Sequence, residues 1–276
     1  MIFSSHCVLQ RGLDIPIWGF QPAGTTVSVT LGSSARTATA DPSGRWSVLL
    51  PAMAAGGPYV LSANSSTGAQ QSLVDVLIGD IVVCSGQSNQ DMPVSYAFNA
   101  TAEAAAAALY PSLRYITVSA NYSAQPLREF IAASRWQVGS SAAVAASWGA
   151  VCWFAVRYTY DALRAAGEAD IPMGMVHSAL GGTPIQQWMS AEAATACPAA
   201  QPPLYPTYSG LYNAMIAPMV LNGMRASHTI WVRDWAPLGG GHTMPPTLLT
   251  WGGASPPTEQ PPHTPPHLTL HRAVSG

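Results

Sequence analysis

The first 75 residues combine short apolar runs with regularly spaced turn residues. In one run Val27, Val29 and Leu31 occupy every second position, as expected for a strand with one buried face. Pro, Gly, Asp and Ser cluster between the runs, where tight turns use them. The pattern predicts six strands, at 15–20, 25–31, 35–40, 46–50, 59–63 and 70–77. We therefore expect a small all-β sandwich over residues 1–76, as an accessory domain.

From Leu77 onward, apolar strands alternate with amphipathic helices. The β-branched run at 78–83 suits a strand that is covered on both faces of a parallel sheet. Apolar residues at 147–167 recur every three or four positions, which predicts a helix ended by Gly167. Further elements are predicted in the same way, as strands at 113–119 and 173–178 and helices at 101–109, 190–196 and 211–221. This alternation indicates an α/β domain over 77–235.

The pattern is lost near the C-terminus. A last strand is predicted at 228–235, and beyond it proline and glycine dominate the sequence. Such a composition buries too little apolar surface to offset the entropy of chain ordering, so we predict a disordered tail over 236–276. Four of the seven histidines lie there without cysteine or carboxylate partners at ligand spacing, so we interpret them as solvated rather than metal-binding.

The composition argues against two classes of binding partner. The chain has 276 residues, a net charge of −2 and only 9% charged residues, and its eleven basic residues are all arginine. Such a balance argues against a nucleic-acid partner or an anionic membrane surface. No apolar run reaches the length of a membrane span.

The four cysteines give no sign of a metal site, because their spacing fits no ligand motif. Cys84 and Cys152 lie in apolar runs, and we expect both to be buried thiols. One disulfide that includes Cys7 or Cys197 is an open alternative, and the sequence does not show which cysteines would form it. We expect neither a metal nor a cofactor.

A polar turn, Ser85-Gly86-Gln87-Ser88-Asn89, follows the strand at 78–83 almost without a break. In an open α/β sheet, ligands bind in the crevice beyond the carboxyl ends of the strands. A serine hydroxyl there can act as a nucleophile once a base takes its proton, and a backbone N–H can face the developing oxyanion. Ser88 is therefore the candidate nucleophile.

A second turn, Gly181-Gly182, follows the strand predicted at 173–178. Glycine allows the backbone to approach a ligand closely, so either residue can offer a second N–H to the oxyanion. Both turns leave buried strands in the same direction, and we expect them at one edge of the sheet.

The segment GDIVVCSGQSN at 79–89 resembles the nucleophile block of the sialate O-acetylesterases, a branch of the SGNH hydrolases. Five further blocks stand in the family's order and rough spacing: VLQ at 8–10, IWGF at 17–20, AVCWF at 150–154, GGTPIQQWMS at 181–190 and LYNAMIAPM at 211–219. The resemblance covers about residues 6 to 224. Position 90 departs from the family pattern, because Gln90 stands where methionine is usual.

The resemblance implies a three-layer SGNH-type α/β sandwich with a parallel sheet, incomplete in this chain. It also implies a serine esterase that removes acetyl groups from sugar hydroxyls, with sialic acids as the substrate class. Carried over by position, Ser88 is the nucleophile and Gly181 and Gly182 bind the oxyanion. Asn213 matches a family block too, although a residue that orients a loop at a helix start fits it equally well.

Two parts of the family pattern are missing near the C-terminus. Where the family has a Trp-Tyr-Gln-Gly-Glu-Ser-Asn block, only Trp231 and the Ile230 before it match, and no Asp-x-x-His occurs anywhere in the sequence. Because the family takes its base and orienter from that second motif, we expect a poor esterase. Asp234 and His242 receive no catalytic role, and His177 is interpreted as a buried histidine that points into a helix layer. The change at Arg225 resembles a frameshifted or mis-spliced continuation of a longer enzyme.

Three functions stay open: an active sugar acetylesterase, a non-catalytic carbohydrate-binding relic of that family, and a structural fragment. The family implies a secreted or lysosomal location, although no signal peptide is visible and we expect residues to be missing before Met1. Three N-glycosylation sequons, at Asn64, Asn99 and Asn121, fit a secretory protein.

Overall fold

The computed structural model describes residues 2–139, 142–196, 208–232 and the short strand at 249–250. Its strands are β1 Val8–Gln10, β2 Ile15–Phe20, β3 Thr26–Leu31, β4 Ser34–Thr39, β5 Arg45–Leu50, β6 Gly56–Ser65, β7 Gln70–Gly86, β8 Leu113–Thr117, β9 Gln137–Val138, β10 Met173–Ala179, β11 His228–Val232 and β12 Leu249–Thr250. Its α-helices are α1 Ser88–Asp91, α2 Ala100–Ala106, α3 Ala142–Ala145, α4 Ala150–Ala165, α5 Ala191–Ala196 and α6 Ala217–Leu221. Within these ranges no helix is both long and apolar enough to cross a membrane.

The strands of the first part form two sheets with a shared core. β2 pairs antiparallel with β5, and the other sheet has the antiparallel order β4-β3-β6-β7, with β1 added parallel to β7. Val27, Val29 and Leu31 are buried, whereas the residues between them on β3 are only partly buried, so the predicted alternation is present. Trp18 and Trp46 lie in this core and are 5% and 7% exposed. The six strands predicted from the turn signals are all found.

Strand β7 connects the two parts of the chain without interruption. Its first half pairs antiparallel with β6, and its second half pairs in parallel with β10 and β11. The predicted strands at 70–77 and 78–83 are therefore one element, and the predicted boundary between residues 76 and 77 falls inside it. Gly79 lets the chain before β10 approach the middle of β7, because a Cβ there would lie 1.9 Å from the carbonyl oxygen of Pro172. Division of the chain into domains stays a prediction.

The mostly parallel sheet of the α/β part has the order β9-β8-β10-β7-β11-β12. Its four central strands run parallel, and β9 and β12 pair antiparallel at the two ends. Side chains alternate across it as a sheet buried on both faces requires: Val82 and Cys84 face one core, and Ile81 and Val83 face the other. Of the predicted tail at 236–276, the structure describes β12, and the remaining residues lie outside the described part.

Helices cover both faces of this sheet. Residues of α2, α3 and α4 pack on one face, around Trp148 and Trp153. The other face packs against α6 and the π-helical turn Tyr212–Ile216, together with apolar residues of the β part. The predicted three-layer α/β arrangement, preceded by antiparallel β structure, is confirmed.

Two predicted helices differ in detail. The helix predicted at 147–167 begins at Ala150, because Gly149 is extended, bridges Pro93 and donates its N–H to the hydroxyl of Tyr115. The helix predicted at 211–221 begins as the π-helical turn Tyr212–Ile216 and continues as α6. Pro218 has no N–H to donate to the preceding turn, which explains why the regular α-helical pattern is interrupted there.

The expectation that Cys84 and Cys152 are free thiols is wrong. They form a disulfide that joins β7 to the first turn of α4, with Cα atoms 5.8 Å apart. Cys84 faces the helix layer from its strand, and α4 presents Cys152 to it. Cys7 is instead the free cysteine of the described residues, and burial raises the pKa of its thiol to about 12. Cys197 lies outside the described residues.

Candidate active site

Ser88 lies at the carboxyl edge of the parallel sheet, as the first residue of α1, two residues after β7 ends. The end of β10 is in register with the end of β7, since Ala179 pairs with Gly86. The turn at Gly181 therefore emerges beside Ser88. A Cβ built on Gly181 would lie 3.6 Å from the Ser88 Cα atom and 3.7 Å from its Cβ atom. The structure thus brings the two predicted turns together, and Ser88 is exposed to solvent.

Gly86 leaves room for a neighbouring strand beside the serine turn, and its φ of +141° also favours glycine. It is the last residue of β7 and pairs with Val232 of β11. A Cβ on Gly86 would lie 1.9 Å from the carbonyl oxygen of Val232. The glycine of the serine turn therefore lets β11 approach the strand that carries Ser88.

The backbone N–H of Gly181 already holds an anionic oxygen. It donates to Asp91 Oδ2 at 3.2 Å, and Asp91 lies three residues after Ser88, on the single turn of α1. Residues three apart on a helix share one face, so this spacing was the available signal for Asp91, which sequence reasoning missed. The carboxylate oxygen marks a position beside Ser88 where a negatively charged oxygen is bound.

Hydrogen bonds fix the glycine turn to the sheet. Ser85 Oγ donates to the carbonyl oxygen of Ser178 at 2.7 Å, which ties the ends of β7 and β10 together. Thr183 Oγ1 donates to the carbonyl oxygen of Leu180 at 2.7 Å and accepts from Trp188 Nε1. Gly182 has a φ of +75°, which favours glycine. The donor at Gly181 is therefore held in place before any ligand arrives.

Asn213 lies in the π-helical turn and is 5% exposed. Its side-chain amide donates to the carbonyl oxygen of Ser123, and its own carbonyl oxygen accepts from the N–H of Leu127. These contacts hold the loop at 121–127, which is the second of the two interpretations. Binding of the substrate by Asn213 stays a prediction.

His177 lies on β10 and faces the helix layer. Its Nε2 is 2.9 Å from the carbonyl oxygen of Gln90, and its ring stacks on Tyr115. A carbonyl oxygen only accepts, so Nε2 carries the proton and is not available to deprotonate Ser88. Burial lowers the pKa of His177 below its ordinary value. These contacts are those of a buried histidine with its hydrogen bond satisfied, as interpreted from the sequence.

Gln90 is fully buried between Ser88 and the helix layer. Neither its side-chain oxygen nor its side-chain nitrogen has a hydrogen-bond partner within the described structure. Gln90, which stands where the family motif usually has methionine, therefore places a buried amide without hydrogen-bond partners two residues after Ser88.

The C-terminal part of the site is described only as far as Val232. Ile230 and Trp231 lie on β11 beside Cys84 and Ser85 of β7, and the Trp231 ring packs edge-on against Trp188. Asp234 and His242 lie outside the described residues. Within the described ranges, no group of three or more His, Cys, Asp or Glu side chains is placed to hold a metal ion.

Comparison with known proteins agrees with this geometry. No family model matches the chain. Sialate O-acetylesterase from Homo sapiens is 33% identical over 237 residues, and the enzyme of that name from Rattus norvegicus is 36% identical over 195 residues. The chain is a homologue of the sialate O-acetylesterases. The matches cover 78% and 66% of this chain but 44% and 35% of the two relatives, so the chain spans less than half of their length.

A solved structure shows the same relationship. The crystal structure of a carbohydrate acetylesterase from Xanthomonas citri matches with a TM-score of 0.72 and 32% sequence identity. The match covers 84% of this sialate O-acetylesterase homologue and 50% of the Xanthomonas citri chain. The α/β sheet with its flanking helices is therefore the fold of a carbohydrate acetylesterase.

Proposed function

We propose that this chain carries the nucleophile and oxyanion elements of a serine esterase that removes O-acetyl groups from sugars, with sialic acids as the substrate class. One observation carries the proposal: exposed Ser88 lies against the Gly181 turn, whose N–H binds an anionic oxygen. The names of the homologues support the substrate class, since they are sialate and carbohydrate acetylesterases.

In the proposed reaction, Ser88 Oγ attacks the acetyl carbonyl carbon and loses its proton to a base. The carbonyl oxygen becomes an oxyanion, and the N–H groups of Ser88 and of Gly181 or Gly182 stabilise it. The sugar hydroxyl then leaves with a proton, and an acetyl-serine remains. Water attacks this ester, releases acetate and restores Ser88.

We propose that the chain turns over slowly, because no described residue is placed as the base. His177 donates from Nε2 to Gln90, and the sequence has no Asp-x-x-His motif. Triad enzymes that lack one member keep roughly a thousand- to ten-thousand-fold acceleration over water from the oxyanion site and binding. This residual rate is the level expected here.

A non-catalytic carbohydrate-binding protein is the second candidate, and the engaged Nε2 of His177 favours it. Hydrolysis of 4-nitrophenyl acetate and of an O-acetylated sialic acid separates the two functions. Slow turnover that Ser88→Ala abolishes supports the esterase, with Ser95→Ala, an exposed serine on the next turn, as the matched control. Equal rates for the wild type and Ser88→Ala, together with saturable binding of the sugar, favour the second candidate.

We further propose that the protein is secreted or lysosomal. The Cys84–Cys152 disulfide supports this location, because disulfides persist in oxidising compartments and are rare in the cytosol. Oxidation of the thiols in protein isolated from intact cells, after rapid alkylation, tests the proposal.

A further inference from the structure

Two aromatic side chains stand out on the surface between α1 and α2. Phe98 is 98% exposed and Tyr96 is 78% exposed, more than any other large apolar side chain of the described residues. Neither ring is covered by a neighbouring element of the fold. An aromatic ring whose apolar face is not covered by protein can pack against the apolar face of a sugar.

The residue after Phe98 is the acceptor asparagine of a sequon, Asn99-Ala100-Thr101. Asn99 is exposed and precedes α2 at the N-cap position, where an asparagine side chain usually bonds to the helix backbone. Here it makes no such bond, and its φ is +60°. Thr101 is also exposed, so the acceptor amide and the sequon hydroxyl both face solvent.

The other two sequons are engaged in the fold. Asn64 lies inside β6, where its backbone pairs with strands on both sides, and the hydroxyl of Ser66 accepts a hydrogen bond from the N–H of Thr26. Asn121 Oδ1 accepts from the N–H of Tyr122, and the residues that follow hold the loop against Asn213. Asn64 is exposed as well, so the Asn99 sequon is distinguished by lying outside sheet pairing and beside an uncovered aromatic ring.

We infer that Asn99 carries an N-linked glycan and that its first sugars cover the rings of Phe98 and Tyr96. The amide nitrogen of Asn99 attacks C1 of an oligosaccharide carried on a polyprenyl pyrophosphate. The nitrogen–carbon bond forms as the bond from C1 to the pyrophosphate oxygen breaks. The amide nitrogen releases one proton, and the polyprenyl pyrophosphate leaves with the electron pair.

The inference rests on the proposed secretory location and is independent of esterase activity. Its test is peptide mass spectrometry of the full chain, directed into the secretory pathway of a eukaryotic cell by an added leader peptide. Enzymatic removal of N-glycans in ¹⁸O water marks each occupied asparagine. We expect the label at Asn99, and we expect Asn99→Gln to lose one glycan from the intact mass. Because glycan transfer accompanies synthesis, protein retained inside the cell serves equally well if secretion fails.

An unlabelled Asn99 in that protein would overturn the inference without bearing on the natural location, since the leader peptide supplies the entry. The contact with the aromatic rings has its own readout. Enzymatic removal of the glycan should lower the Tm of the wild type by about 2–4 °C and that of Phe98→Ala by less. Leu109→Ala removes an apolar side chain that is 77% exposed and not adjacent in sequence to a sequon, and it should respond as the wild type does. Equal Tm shifts in all three proteins would show that the glycan does not pack on the ring of Phe98.

Discussion

The N–H of Gly181 donates to the Asp91 carboxylate at 3.2 Å, on the side of the turn that faces Ser88. A proposed oxyanion donor is thus occupied by an internal anion. An acetyl oxyanion has to displace this carboxylate before it can use the donor. Asp91 therefore opposes the step that the turn would accelerate.

Replacement of Asp91 should make Ser88 more reactive. Asp91→Asn keeps the size of the side chain and removes its charge, so acetylation by 4-nitrophenyl acetate should accelerate about 3- to 10-fold, equivalent to roughly 0.7–1.4 kcal/mol in the barrier. Glu192→Gln, an exposed carboxylate on α5, is the charge-matched control and should leave the rate unchanged. A slower reaction in Asp91→Asn would show that the carboxylate positions the turn rather than competing for its donor.

Alanine substitution of the two glycines of the turn should affect different properties, namely the reactivity of Ser88 and the stability of the protein. A methyl group on Gly181 would lie in van der Waals contact with Ser88, so Gly181→Ala should slow labelling of Ser88 by a fluorophosphonate at least tenfold with little change in Tm. Gly182 has open space at its Cβ position but a φ of +75°. Gly182→Ala should therefore cost about 1 kcal/mol of stability through backbone strain and slow the labelling less. The reverse ranking of labelling rates would place the donor at Gly182.

Gln90→Met should stabilise the protein. A buried amide without partners costs about 1–3 kcal/mol, and methionine fills a similar volume without that cost. We expect a Tm higher by about 2–6 °C, measured by differential scanning calorimetry. Gln125→Met, on an exposed loop, should change the Tm little. A lower Tm in Gln90→Met would mean that the amide has a partner, such as a buried water molecule.

Acid stability should depend on His177. Burial lowers its pKa in the folded protein, so near pH 6 the unfolded chain binds a proton that the folded protein does not. Stability should therefore be lost as the pH falls below the ordinary histidine pKa of about 6.5. His177→Gln keeps a donor for the Gln90 carbonyl and should flatten this fall in urea denaturation between pH 7 and 5. Exposed His228→Gln should keep it, and an unchanged slope in His177→Gln would contradict the burial argument.

The sequence predicted the local elements well because their signals are local. Alternation at Val27, Val29 and Leu31 and the helical spacing after Ala150 depend on neighbours within a few residues. The shared sheet edge of Ser88 and Gly181 also followed, since both turns leave parallel strands in the same direction.

Specific contacts between side chains or backbone atoms of distant segments were not predicted. Cys84 and Cys152 are 68 residues apart, and no spacing rule shows that β7 and α4 bring their Cα atoms to 5.8 Å. The need for Gly86 arises from Val232, 146 positions later in the chain, and only the packed sheet reveals it. The Gly181–Asp91 contact was also missed, although the sequence placed the two turns together and the three-residue spacing of Asp91 from Ser88 was a signal for it.

An acetyl-enzyme would show that Ser88 is a nucleophile beside a backbone oxyanion donor. Purified protein is incubated with 4-nitrophenyl acetate, quenched in acid, and analysed by intact and peptide mass spectrometry. We expect one added acetyl group, located on Ser88, that accumulates and is released slowly because no described residue activates water. An acetyl group elsewhere, or equal acetylation of Ser88→Ala, would contradict the assignment.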